Sequence, residues 1–170
     1  MPTGNDSAAR AELVRLMDQY GSGLLRMCAL YLQDADLAQD AVQDTFLKAY
    51  RRLDTYRGEA SEKTWLMSIA INVCRDYLRT AWFKHIHSRT SIDALPEASA
   101  ESTFPDDTVL NEVMRLPPKY REVILLRYYR EMKLKECAQA LGLPEGTVRS
   151  RLNRANRILK DRLKEWYYEE

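Results

Sequence analysis

The stretch LGLPEGTVRSRLNRA, residues 141–155, places three arginines on one short segment directly after a glycine and a proline. Its apolar residues recur at helical spacing, which predicts a helix that begins at Pro144 or Glu145 and continues to about Trp166. The apolar stripe consists of Val148, Leu152, Ala155, Leu159 and Leu163. The open side presents Thr147, Ser150, Arg151 and Arg154, flanked by Arg149 and Asn153. One side of this helix is suited to packing and the other to a polar partner.

The preceding segment LKECAQALGL, residues 134–143, predicts a short helix that ends at a turn. Leu134, Ala138 and Leu141 would bury it, and Gly142 suits the left-handed position that often follows a helix. A helix, a short turn containing glycine and a second helix form a helix-turn-helix, whose second helix can enter the major groove of DNA. The alternative is a basic amphipathic helix that packs within the protein and faces water.

The net charge of +1 conceals two blocks of opposite sign. Residues 145–164 carry seven basic and two acidic side chains, whereas residues 92–112 carry six acidic side chains and no basic one. Blocks of this kind favour different partners for different parts of the chain.

Helical periodicity extends over most of the chain, with few glycines and prolines, and it predicts an all-α protein. Residues 10–33 read as two helices broken near Gly21 and Gly23, and two further helices follow at 34–53 and 63–83. These four would form one small bundle, residues 8–85. A second helical domain is predicted at 109–168. The acidic segment 86–108 between them reads as a flexible linker, the alternative being a loop packed within a single domain.

Other function classes find little support in the sequence. It has no glycine-rich phosphate loop, no nucleophile elbow and no HExxH motif, which argues against an enzyme and a small-molecule substrate. Cys28, Cys74 and Cys137 lack zinc or disulfide spacing and are typical of buried thiols in a reducing cytosol. His85 and His87 alone are a weak metal signal, so neither a metal nor a cofactor is expected. No signal peptide or membrane span is apparent, and we expect a cytoplasmic protein.

Two long segments together resemble the bacterial sigma-70 family, specifically the small extracytoplasmic-function (ECF) type that has only domains two and four. They are DADLAQDAVQDTFLKAYRRLDTYRGEASEKTWLMSIAINVCRDYLR, residues 34–79, and LPPKYREVILLRYYREMKLKECAQALGLPEGTVRSRLNRA, residues 116–155. The resemblance implies a sigma factor that binds core RNA polymerase, directs it to promoter DNA and helps to open the duplex.

The resemblance also implies site residues. The segment matching Asp36 to Arg52 would bind the clamp helices of the polymerase β′ subunit, and the interface candidates there are Asp40, Gln43, Asp44 and Lys48, an ordinary solvated face being the alternative. The segment matching Tyr56 to Arg79 would melt the −10 element, with Tyr56, Asn72, Arg75 and Arg79 as DNA contacts. The −35 contacts would be Arg149, Ser150, Asn153 and Arg154, with Lys119 and Arg121 near the DNA backbone.

The chain departs from the family pattern at Glu62, where many members carry an aromatic or apolar residue that helps to line the pocket for a flipped base. An acid there would disfavour DNA, so the base preference at −10 is left open. The segment AIN at 70–72 also lacks a basic residue that many relatives have.

Two alternative functions remain compatible with the sequence. A stand-alone helix-turn-helix regulator would dimerise on a palindrome without polymerase, and a sequestering protein would not support transcription at all. Many members of the family are held by an anti-sigma factor, often at the membrane, and the linker would permit such a partner.

Overall fold

The computed structural model describes residues 4–84 and 107–168, and all regular structure in these ranges is helical. The helices are α1 (Gly4–Leu32), α2 (Ala35–Arg52), α3 (Glu62–Lys84), α4 (Asp107–Arg115), α5 (Pro118–Ile124), α6 (Leu134–Leu141) and α7 (Glu145–Tyr168). We call α1–α3 the first bundle and α4–α7 the second bundle. The predicted linker 86–108, apart from Asp107 and Thr108 at the start of α4, lies outside the described residues. None of the helices in these two ranges combines the length and apolarity that a membrane span requires.

The predicted break at Gly21 and Gly23 is wrong, because α1 is one continuous helix of 29 residues. The first bundle therefore has three helices in the described range rather than four. A glycine costs a helix only about 1 kcal/mol relative to alanine, and packing readily outweighs that cost. The half of α1 that follows Gly23 supplies this packing, since Leu24, Met27 and Cys28 are fully buried.

The start of α2 follows from local capping chemistry. The side chain of Asp34 accepts a hydrogen bond from the Leu37 N–H at 3.0 Å, and Asp36 lies in the first turn, where a negative charge is favourable. The residues of α2 that face the core are Ala38, Ala41, Thr45, Phe46 and Ala49. Small side chains at most of these positions bring α2 close to α1, the pair of helices with the most extensive contact.

A turn that contains Gly58 joins α2 to α3. Gly58 has a φ of 76°, which glycine adopts without strain. The Ser61 hydroxyl then accepts a hydrogen bond from the Thr64 N–H at 3.1 Å and so caps α3. The buried face of α3 includes Leu66, Ile69, Ala70 and Val73.

Local backbone preferences set several helix ends of the second bundle, including the predicted turn at Gly142 and the predicted start of the last helix. Pro118 is the first residue of α5, and Gly142 adopts φ 64° directly after α6, so that α7 can begin at Glu145. The π-helical turn Leu125–Tyr129, which extends α5, was not predicted. Val148, Leu152, Ala155 and Leu159 are buried, as the apolar stripe of α7 requires.

The two bundles pack against each other, with α3 against α6 and α1 against α5. Polar contacts cross the boundary: Lys63 Nζ donates to the Arg130 carbonyl oxygen at 2.6 Å, and the Gln33 side chain donates to the Met114 carbonyl oxygen. The predictions of separate, loosely tethered domains did not anticipate this contact.

Candidate nucleic-acid interface and neighbouring surfaces

The four residues predicted to reach bases on α7 are all exposed: Arg149, Ser150, Asn153 and Arg154. With about 100° of rotation per residue, these four cover an arc of about 140°, and its centre lies about 160° from that of the buried stripe. The polar arc therefore faces solvent because the apolar stripe anchors the opposite side. Its length from residue 149 to residue 154 is about 7.5 Å, or roughly two base-pair steps.

The two predicted backbone contacts on α5 differ in accessibility. Lys119 is exposed, with its Nζ 5.0 Å from the centre of the Tyr120 ring. Arg121 is 7% exposed and donates to the carbonyl oxygens of Tyr31 and Leu116, and its burial lowers its pKa to about 10. Its guanidinium links the backbone at Tyr31 to the backbone at Leu116. The prediction that Arg121 contacts DNA is therefore corrected, because the side chain is buried and bonded within the protein.

Tyr56 lies beside a cavity in the turn between α2 and α3. Its ring stacks on that of Trp65 with centroids 4.5 Å apart and an angle of 22° between the planes. The cavity has a volume of about 350 Å³ and is lined by Thr55, Tyr56, Arg57, Glu59, Ala60 and Trp65. Trp65 is only partly buried and forms one wall of the cavity.

Glu62 does not line this cavity. Its carboxylate pairs with Arg15 on α1 and accepts a hydrogen bond from the Tyr20 hydroxyl at 3.4 Å. Glu62 therefore joins α3 to α1, and it is not among the residues that line the cavity.

The other three predicted −10 residues lie along α3 with different surroundings. Asn72 is exposed, and Arg79 is exposed and paired with Asp76 one turn earlier. Arg75, in contrast, points to the second bundle, where its hydrogen bond with Glu122 raises its pKa.

Glu122 on α5 is a functional candidate that sequence reasoning missed. It is 2% exposed. One carboxylate oxygen accepts from Arg75 Nη2 at 2.8 Å and lies 3.5 Å from Arg151 Nη1; the other accepts from the Tyr31 hydroxyl at 2.8 Å and from Arg75 Nε at 3.3 Å. Burial and the adjacent Glu122 raise the pKa of Tyr31. We call these four residues the Glu122 cluster. Its members come from α1, α3, α5 and α7, so no local sequence pattern marks it.

The residues predicted to bind polymerase lie on α2. Asp40 and Gln43 are exposed and Lys48 is partly buried. Asp44 accepts a hydrogen bond from the Tyr77 hydroxyl at 2.5 Å. Burial raises the pKa of Tyr77, and the hydrogen bond with Asp44 raises it further. Asp44 therefore joins α2 to α3, so that its replacement would remove a contact within the first bundle as well as a candidate polymerase contact.

An apolar groove runs beside Gln43, between α1 and α2. It has a volume of about 540 Å³ and is lined by Leu13, Met17, Gly21, Ser22, Leu25, Val42, Gln43, Phe46 and Leu47. Met17 and Leu47 are each 47% exposed, and both line this one groove, so they form a contiguous apolar patch of the kind that marks interaction surfaces.

The described residues contain no group of three or more His, Cys, Asp or Glu side chains placed to hold a metal ion. His85 and His87 lie outside these residues.

Comparison with known proteins agrees with the architecture. Residues 16–84 match the family model Sigma-70 region 2, and residues 107–159 match Sigma-70, region 4. The ECF RNA polymerase sigma factor SigL of Mycobacterium tuberculosis is 32% identical over 94% of this chain and 93% of its own length. SigW of Bacillus subtilis, also an ECF RNA polymerase sigma factor, is 29% identical over 94% and 91%.

Two solved structures share the fold. CnrH, determined in complex with the cytosolic domain of CnrY, has a TM-score of 0.68 and 24% identity, covering 92% of this chain and 90% of that one. RpoE from Bartonella quintana, in complex with the anti-sigma factor NepR, has a TM-score of 0.71 and 22% identity, covering 91% and 96%. The two family models in this order, and relatives at this level of identity along nearly the whole length, show that the chain belongs to the sigma-70 family and is an RNA polymerase sigma factor of the ECF type.

Proposed function

We propose that this sigma factor reads the −35 element with the exposed arc of α7, holds −10 bases at the Tyr56 cavity, and binds core RNA polymerase through the α1–α2 face. We retain as part of this proposal the division into residues 8–85, 86–108 and 109–168. The observation that carries the −35 assignment is the joint exposure of Arg149, Ser150, Asn153 and Arg154 opposite a fully packed stripe. Arginine and asparagine side chains on one helix face can make bidentate contacts with base edges.

The −10 assignment is supported by the shape and chemistry of the Tyr56 cavity. Unstacking a base costs a few kcal/mol, which a protein offsets with a pocket and an aromatic surface. A volume of about 350 Å³ beside the Tyr56–Trp65 stack provides both features. Asn72 is exposed on the adjoining helix, and its amide can donate to and accept from a base or the backbone.

The polymerase assignment is supported by exposed apolar surface. Protein interfaces have apolar centres with polar rims. The α1–α2 groove combines Met17 and Leu47 with Gln43, and Asp40 is exposed about one turn before Gln43 on α2. A helical partner such as the β′ clamp helices fits a groove between two helices.

The proposed role is that of a non-catalytic initiation factor that acts in the cytoplasm. The two solved structures that share its fold are complexes with the cytosolic domain of CnrY and with the anti-sigma factor NepR. We propose by analogy that the present chain also binds an anti-sigma factor.

The polymerase assignment is tested by titrating fluorescently labelled full-length protein with core RNA polymerase. The proposal expects binding at micromolar concentration or tighter. Gln43→Ala should weaken this binding about fivefold or more and leave the melting temperature unchanged. Gln139→Ala, which removes an exposed glutamine from α6, is the matched control. No binding by the unaltered chain, or equal losses in both variants, would contradict the assignment.

A further inference from the structure

We propose that Arg127, Tyr128 and Asn156 form a contact with the DNA backbone at the edge of the exposed arc of α7, and that this contact binds phosphate without reading bases. This inference rests on the −35 role proposed for α7. It adds to that role three residues that lie outside the arc, two of which are not on α7 at all.

The π-helical turn Leu125–Tyr129 places two consecutive polar side chains on the surface. Arg127 and Tyr128 are exposed, whereas the residues on either side of them are buried. The turn is closed by a hydrogen bond from the Arg130 N–H to the Leu125 carbonyl oxygen at 2.9 Å. A π turn is wider than an α turn, so it rotates less from one residue to the next, and neighbouring side chains point in more similar directions. The turn therefore presents Arg127 and Tyr128 together.

Side-chain contacts join this exposed pair to α7. The Asn156 amide nitrogen donates a hydrogen bond to the Tyr128 hydroxyl oxygen at 3.1 Å. The guanidinium carbon of Arg127 lies 5.7 Å from the centre of the Tyr128 ring, a distance at which a cation is attracted to an aromatic face. The three side chains therefore form one polar surface, to which the extension of α5 and the middle of α7 both contribute.

Asn156 is exposed beside the residues proposed to read the −35 element. It follows Arg149 by seven residues, which places it about 20° from Arg149 around the helix and about 10.5 Å further along the axis. It follows Asn153 by three residues and lies about 60° from it. Asn156 therefore borders the exposed arc on its Arg149 side, and the polar surface extends from there to Tyr128.

The edge of such an arc is where a helix in the major groove meets the DNA backbone. The groove is about 12 Å wide and a helix with its side chains is about 10–12 Å across, so the sides of the helix face sugar and phosphate. Guanidinium, hydroxyl and amide groups all donate hydrogen bonds to phosphate oxygens. The hydroxyl of a tyrosine can accept from an amide and donate to phosphate, and an asparagine amide has two N–H groups. Phosphate is the ligand that this set of donors fits.

The test is the affinity of reconstituted polymerase holoenzyme for two promoter duplexes, one with the −35 element intact and one with that element scrambled, over a series of salt concentrations. Tyr128→Phe removes only the hydroxyl, and it should weaken binding to both duplexes by a similar factor, about two- to tenfold. Asn156→Asp places a negative charge against phosphate and should weaken both more strongly. Arg127→Gln should reduce the slope of log affinity against log salt by about one, as expected for the loss of one phosphate contact.

Gln139→Glu is the matched control for Asn156→Asp, because it adds the same charge at an exposed position on α6. It should match the unaltered chain in affinity and in salt dependence. Because the altered side chains are all exposed, every variant should keep the melting temperature of the unaltered chain, and each should bind core polymerase with unaltered affinity.

Three results overturn the proposal. Unaltered affinity of Tyr128→Phe and Asn156→Asp for both duplexes shows that there is no contact. A loss confined to the intact duplex shows base reading, and a loss of affinity for core polymerase shows a protein partner. If Asn156→Asp does not fold, Tyr128→Phe decides by the same criteria.

Arg149→Ala, measured alongside, separates failure of the backbone contact from failure of the −35 assignment. If Arg149→Ala loses affinity for the intact duplex while Tyr128→Phe and Asn156→Asp retain theirs, the −35 role of α7 stands and only the backbone contact fails. If none of these variants loses affinity for either duplex, both fail.

Discussion

Replacing Arg149 or Arg154 by alanine tests how α7 reads the promoter. Both side chains are exposed and belong to the polar arc of about 140°, which spans roughly two base-pair steps. A bidentate contact with a base edge contributes about 1–3 kcal/mol of discrimination, so each replacement should weaken −35-dependent binding by about 5- to 150-fold. Since neither side chain is packed, the free energy of unfolding should change by about 0.5 kcal/mol or less.

The assay is the affinity of reconstituted polymerase holoenzyme for two duplexes, one with the −35 element intact and one with that element scrambled. The variants should lose affinity for the first duplex and little for the second. Arg10→Ala, which removes an exposed arginine from the first bundle, is the matched control. Equal affinity of variant and unaltered holoenzyme for the intact promoter, or an equal loss on both duplexes, would refute sequence reading by this face.

Three further predictions concern the fold and the cavity. Gly142→Ala should lower the free energy of unfolding by about 1 kcal/mol in urea titration, because alanine is strained at φ 64°, whereas Gly146→Ala within α7 should not lower it. Burial raises the pKa of Cys137 to about 11, and a hydrogen bond with a second buried thiol raises that of Cys74, so neither should react with a thiol reagent at pH 8 until the protein unfolds; reaction in the folded state would contradict their burial. Glu62→Gln should leave the −10 base preference of reconstituted transcription unchanged, because the side chain lies outside the cavity lining; an altered preference would place it near the base.

The helices of the second bundle could be predicted because local chemistry sets their ends. Pro118 and Gly142 act through their own backbone preferences, and the stripe from Val148 to Leu159 needs only a regular period. The same local reasoning failed at Gly21 and Gly23. A glycine signals a break only when tertiary packing is weak, and the packing of α1 after Gly23 is not visible in the local sequence.

In the candidate site, too, features set by one helix could be predicted, and features set by contacts between distant residues could not. Exposure of the α7 arc follows from helix periodicity. Arg75, Arg121 and Glu122 each have at least one partner between 47 and 91 residues away, and a pattern along one helix cannot identify such partners. Arginines assigned to DNA by sequence can therefore contact carbonyl or carboxylate oxygens inside the protein instead.

The most direct test of the central claim is run-off transcription with purified core RNA polymerase, with and without this chain, on a library of bacterial promoter fragments. The account predicts transcripts from a defined subset of promoters that appear only when the chain is added, with start sites a fixed distance from shared −35 and −10 elements. If the chain yields no promoter-specific transcript in the absence of any inhibitor, or acts only as a DNA-binding dimer that leaves core polymerase inactive, the account is contradicted.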